Sequence, residues 1–183
     1  LLTGAAAMAL YDSVSAGLLA PALAADADAV IWDANFPQAA ITAALGAMPL
    51  GRWLFAVGTS TAKVDRLAAV LPRINALVVN RDEAAPLVAA GDVAEMASGL
   101  AAMAGGATVL VSDGGNPAAM ATADAVVTAR PPAVELVNAN GAGDVMAARL
   151  FYDLVKDGAM AAQDRLERAL AAGAAFAAGR DAV

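Results

Sequence analysis

The run Asn138-Ala139-Asn140-Gly141-Ala142-Gly143-Asp144 places two glycines and a carboxylate where a short apolar segment gives way to helical spacing. A simple corner needs only one glycine or an Asn-Gly pair. Here the amides of Gly141, Ala142 and Gly143 stand at a predicted helix N-terminus. Free N–H groups and the positive end of the helix dipole favour an anion there, and glycines let a phosphate come close. Asp144 in the same place would repel a phosphate. The conflict resolves if its carboxylate takes a proton from a neutral hydroxyl while the amides hold negative charge. The plainer reading is an aspartate capping a helix after a flexible turn.

Two further stretches bear on that choice. Asn80-Arg81-Asp82-Glu83 follows the apolar run Ala76 to Val79 and opens a helix. Asn80 and Glu83 have the spacing of a capping box. The same spacing puts both on one helical face, where their oxygens could face waters around Mg²⁺. The stretch Val109 to Gly115 ends a strand in Ser112-Asp113-Gly114-Gly115, by itself only a turn.

The elements that must position these residues alternate. Strands are predicted at 29–33, 52–57, 75–79, 107–112, 118–122, 125–129 and 134–137. Helices are predicted at about 15–26, 37–49, 62–71, 81–90, 92–104, 144–157 and 161–178. Helix-length segments between the first four strands indicate βαβ units and a mostly parallel sheet covered on both faces. From 107 to 137 strands follow directly on one another, with Asp113 to Asn116 as a turn, so an antiparallel insertion is expected. Leu136 and Val137 before the glycine loop, and Leu150 and Leu154 after it, are expected core positions. Ligands of open α/β sheets bind beyond the carboxyl ends of strands, where this loop would sit. No composition shift divides the chain, so residues 1–183 are expected to form a single α/β domain.

Composition excludes several classes. Hydrophobic residues make up 60% of 183 residues, an excess owed mostly to alanine. The longest uncharged run, Ala34 to Gly51, is broken by Asn35, Pro37, Gln38 and Pro49, so no membrane partner is expected. The Ala- and Leu-rich first residues lack a basic start, and Asp12 interrupts them, which argues against a secretory leader. The chain begins with Leu1 rather than Met, so a longer protein is expected. With no cysteine and no histidine, proton transfer falls to carboxylates, lysine or tyrosine, and the usual zinc ligands are missing. A net charge of −7 with scattered basic residues argues against a nucleic-acid surface.

In their order along the chain, these motifs resemble the PfkB-type, ribokinase-like carbohydrate kinases. Gly141 to Asp144 fits the family's Gly-Ala-Gly-Asp signature, Asn80 and Glu83 its Asn-x-x-Glu element, and Ser112-Asp113-Gly114 its Thr-x-Gly nucleotide loop. Residues 169–179 resemble the final Ala-rich helix flanking the adenine. The stretches 31–37 and 59–67 look most like the pseudouridine-kinase-like branch. The resemblance implies an α/β fold, a ribokinase-like αβα sandwich with a mostly parallel central sheet, its N-terminal portion and lid missing. It implies an ATP- and Mg²⁺-dependent kinase, with room for a monovalent cation, acting on a sugar or nucleoside hydroxyl. Asp144 would be the catalytic base and Gly141, Ala142 and Gly143 the anion hole. Ser112, Gly114 and Gly173 would line the nucleotide, Asn80 and Glu83 would order the metal, and Asp33, Asn35 and Lys63 would face the substrate. A cytoplasmic location follows from the same resemblance.

Departures from the pattern set further expectations. Asn138-Ala139 replaces Asp-Thr, so a loop-ordering hydrogen bond is expected to be lost. Arg149 stands where a small residue is usual, Pro117 replaces the nucleotide loop's last glycine, and Val57-Gly58 replaces the branch's Asp-Pro. The pattern's first third, with its sugar-binding aspartate and lid strands, lies upstream of residue 1. This chain alone is therefore expected not to phosphorylate an acceptor, and an open sheet edge invites a homodimer. A non-catalytic nucleotide-binding or assembly protein of degenerate ribokinase-like fold remains the alternative. A dinucleotide-binding module is disfavoured, because neither G-x-G-x-x-G after a strand nor G-x-x-x-x-G-K-[ST] occurs.

Overall fold

Alternating side chains in the central strands divide the core into two. Leu54, Ala56, Leu77, Val79, Val109 and Val111 belong to one buried cluster. The intervening Phe55, Val78 and Leu110 belong to another. A strand whose successive residues are all buried must be covered on both faces, because they point to opposite sides. A computed structural model, which describes residues 28–49, 51–88 and 91–180, shows this arrangement. The predicted helix 15–26 and the leader-like first residues lie outside the described residues.

Among the described residues six strands form one sheet in sequence order: β1 (Ala29–Asp33), β2 (Trp53–Val57), β3 (Ala76–Asn80), β4 (Thr108–Ser112), β5 (Ala118–Ala121) and β6 (Val126–Ala129). The first four pair parallel, and β4–β5 and β5–β6 pair antiparallel. One face carries α1 (Gln38–Ala47), a 3₁₀ segment (Val64–Arg73), the single turn α2 (Arg81–Ala84) and α3 (Val93–Met103). The other carries α4 (Ala142–Lys156) and α5 (Ala162–Ala177). This is an αβα sandwich with a mostly parallel central sheet. Phe151 of α4 stacks on Phe55 of β2 with ring centroids 4.4 Å apart, which seats the helix bearing Asp144 on the sheet.

Three expectations are corrected. Residues 134–137 form no strand, and Leu136 and Val137 are 65% and 70% exposed rather than core. Pro131 and Pro132 have no N–H to continue a ladder, and the amides of Val137 and Asn138 donate instead to Ala177 O at the end of α5. The helix predicted at 62–71 is 3₁₀ over 64–73 and contains Pro72, which cannot donate an i→i−4 bond. The helix predicted at 81–90 stops after one α turn, because Pro86 at its sixth position lacks the donor the next turn needs.

Candidate active site

Parallel strands bring their carboxyl ends to one edge, and the register puts the polar ends side by side. Asp33 of β1 pairs with Val57 of β2, and Asn80 of β3 pairs with Ser112 of β4. Above this edge lies a cleft of about 310 Å³, walled by Val57, Gly58 and Thr59 after β2, Asn80 and Glu83 after β3, and Ser112 after β4. Residues 139–141, Gly143 and Asp144 form the facing wall. The structure thus gathers Asn80, Glu83, Ser112, Gly141, Gly143 and Asp144 from three distant stretches into one place.

The facing wall is the N-terminus of α4. Gly141 adopts a left-handed conformation with φ 93°, which an L side chain tolerates poorly. A Cβ there would also lie 3.1 Å from the Phe176 ring. The amide of Ala142 is already bonded to Ala139 O at 3.1 Å. Those of Gly141, Gly143 and Asp144 have no acceptor among the described residues. Three amides therefore remain open at the positive end of the helix, though Ala142's is not one of them. The loop keeps an ordering contact despite lacking Asp-Thr, since Asn140 N–H donates to Asn138 Oδ1 at 2.9 Å.

Asn80 and Glu83 form a complete capping box. Glu83 N–H donates to Asn80 Oδ1 at 2.9 Å, and Asn80 N–H donates to Glu83 Oε2 at 3.0 Å. Glu83 Oε1 has no partner among the described residues. The side chain is only 7% exposed, and burial pushes its carboxyl above the ordinary range. The Asn80 amide opposes that shift, while the charges of Asp144 and Asp82 add to it. Two carboxylates that sense each other across a cleft, one with an open oxygen, suit a hydrated Mg²⁺, which binds through few protein oxygens and keeps several waters. A buried Thr59 hydroxyl oxygen without a partner, on the wall beside them, adds a polar group of the kind a metal-bound water meets.

Other expected residues lie outside the cleft. Gly114, with φ 56°, forms the exposed turn after Ser112. Gly173 is buried where α5 crosses the first turn of α4, and a Cβ there would come 3.0 Å from Ala142 O. Its visible role is to let the two helices meet under the loop. Asp33, Asn35 and Lys63 form a cluster of their own beyond β1. Asn35 donates to both Asp33 carboxylate oxygens at 2.9 and 3.0 Å and accepts from Lys63 Nζ at 3.4 Å. Arg149 faces Asp153, not the cleft: buried Asp153 accepts from both Arg149 and Arg168 and links α4 to α5.

Sequence reasoning missed Gly58 and Thr59. A Cβ on Gly58 would lie 2.5 Å from Glu83 Oε2 and 2.9 Å from Val79 Cγ1, so this glycine is the space that Glu83 occupies. The only signal was its departure from the branch's Asp-Pro.

This sheet and the cleft at its carboxyl edge define a ribokinase-like α/β protein. The chain belongs to the pfkB family of carbohydrate kinases, whose model matches residues 5–179. It is similar to a carbohydrate kinase from Agrobacterium tumefaciens at 26% identity and a TM-score of 0.71, over 92% of this chain and 54% of that one. A ribokinase II from E. coli in complex with ATP and Mg²⁺ matches at 18% identity and a TM-score of 0.67, over 94% of this chain and 58% of that one. An adenosine kinase from Anopheles gambiae matches at 19% identity and a TM-score of 0.66, over 84% and 50%. The last two show the fold. The chain spans little more than half the length of the carbohydrate kinase and ribokinase structures it matches. No curated protein matches it. Among the described residues, no helix is long and apolar enough to cross a membrane.

Proposed function

We propose that this chain is the nucleotide-binding part of an ATP- and Mg²⁺-dependent kinase that phosphorylates a hydroxyl of a sugar or nucleoside in the cytoplasm. The observation that carries the reading is Asp144 on the first turn of α4, beside open amides and across the cleft from Glu83. In this reading Asp144 takes the proton of the acceptor hydroxyl as the hydroxyl oxygen attacks the γ-phosphorus of ATP, and the bond from that phosphorus to the β–γ bridging oxygen breaks to release ADP. The amides of Gly141, Gly143 and Asp144 hold the charge that develops on the transferred group. Asn80 and Glu83 would hold Mg²⁺ through water, and the ion would neutralise phosphate charge. Ser112 and the Gly114 turn flank the nucleotide, and a monovalent cation is a further candidate. Asp33, Asn35 and Lys63, at the β1 end of the same edge, are candidates for the acceptor side.

The test is thermal denaturation of the chain with MgADP, MgATP or NAD. A ligand that binds only the folded state adds about 2.7 kcal/mol at 100 times its dissociation constant. Stabilisation by the two magnesium nucleotides and not by NAD is expected. The absence of any shift at millimolar MgATP would remove the nucleotide site. Acceptor choice is then read from ADP release by the full reading frame with pseudouridine, ribose, fructose and adenosine.

A further inference from the structure

Thr59 is a polar residue of the cleft wall to which the proposed mechanism gives no work. It follows Gly58, whose missing side chain admits Glu83. Its hydroxyl oxygen is buried and has no hydrogen-bond partner among the described residues. An unpaired buried hydroxyl is costly, and in a cleft its natural partner is part of the ligand or a water the ligand brings.

The surrounding charge identifies that partner. The open amides that favour negative charge lie on the α4 wall. Thr59 stands on the strand wall with Glu83, in a cleft whose other carboxylate is Asp144. A bare phosphate oxygen beside Thr59 would be repelled by these two groups, whereas a hydrated cation would be attracted. Magnesium dehydrates reluctantly, so groups around it often meet its waters rather than the ion. A threonine hydroxyl can accept a hydrogen bond from such a water.

We propose that Thr59 is a positioning residue for the divalent cation, its hydroxyl oxygen accepting from a water of the ion held against Glu83. The proposal rests on the ATP-dependent kinase reading of the same cleft and deepens it. Thr59 would act on the metal alone, leaving metal-free nucleotide to the α4 loop.

The experiment is calorimetric titration of ADP into the 183-residue chain, with Mg²⁺ and with EDTA, for wild type, Thr59→Val and Thr59→Ser. In wild type, Mg²⁺ should tighten ADP binding. Thr59→Val keeps the shape and removes the hydroxyl, so the Mg²⁺-dependent gain should fall about three- to tenfold, the usual worth of one hydrogen bond. Affinity in EDTA should be unchanged, and Thr59→Ser should restore most of the gain. If wild type binds no ADP under either condition, the kinase reading fails and takes this proposal with it. If wild type shows the gain and Thr59→Val keeps it in full, only the Thr59 proposal fails. Equal losses with and without Mg²⁺, or no gain in wild type, also overturn it. Circular dichroism checks the fold of each variant, and Thr59→Ala supplies the same comparison if the valine variant does not fold.

Discussion

Replacing Gly58 by alanine adds one methyl group at the point where β2 meets Glu83. The backbone does not resist the change, since Gly58 is not among the glycines with positive φ. Its cost comes from contact. The new Cβ would lie 2.5 Å from Glu83 Oε2, 3.0 Å from Glu83 Cδ and 2.9 Å from Val79 Cγ1. Val79 is β-branched, stiff at χ1 and buried in the core. Glu83 must therefore give way, and its Oε2 is the atom bonded to Asn80 N–H. Overpacking of this size costs about 1–3 kcal/mol. Disturbing the capping box adds about 0.5–1 kcal/mol. Reduced freedom of the unfolded chain returns about 0.4–1 kcal/mol. The net expectation is a destabilisation of about 1–3 kcal/mol, or several degrees in melting temperature for a chain of this size.

Urea denaturation measures the loss, and a double-mutant cycle locates it. With Glu83→Ala in the background, the two closest Glu83 contacts vanish and only the Val79 contact remains. Gly58→Ala should then cost about 1 kcal/mol less than in wild type. Wild-type stability in Gly58→Ala, or losses that add within about 0.5 kcal/mol in the double variant, would refute the idea that Gly58 is a space reserved for Glu83.

Asp144→Asn in an active full-length form should lower turnover about 10²–10⁴-fold while ADP binding survives or tightens; unchanged turnover would leave Asp144, which makes no capping hydrogen bond, as only a favourable charge in the first turn of α4. Glu83→Gln keeps an acceptor at the third helical position but removes the titration. Because burial raises the folded-state pKa of Glu83 above its usual 4.5, this group's extra stability is present below that value and lost as pH rises through the folded pKa. Stability of Glu83→Gln relative to wild type should therefore climb with pH from about 4.5 upward and then level off. A pH-independent difference in urea midpoints would contradict the raised pKa.

The sheet was legible because its signals are local. Phe55 between Leu54 and Ala56, and Val78 between Leu77 and Val79, read as doubly covered strands, and the spacers between them imposed parallel order. The seventh strand was misread for the opposite reason. Val134 to Val137 has the composition of a strand, but whether its amides meet a strand or the end of α5 is decided by residues forty positions away. Gly58 and Asp153 were hidden in the same manner. A glycine's missing Cβ has meaning only against Glu83, 25 residues on, and the link that buried Asp153 makes from α4 to α5 depends on Arg168 on another helix.

Asn80 and Glu83 are a different case, because the two readings of their spacing are not rivals. A capping box needs one carboxylate oxygen on the Asn80 amide, and Oε2 supplies it. The cleft that Glu83 lines needs the other, and Oε1 has no hydrogen-bond partner among the described residues. An i, i+3 pair therefore gives the same letters whether it only starts a helix or also faces a metal. What separates the two is the Gly58 space that holds the carboxylate between strand and cleft, and the second carboxylate across from it. The capping bond orients Glu83 before any ion arrives, so the fold, rather than the ligand, supplies the ordering of that side chain.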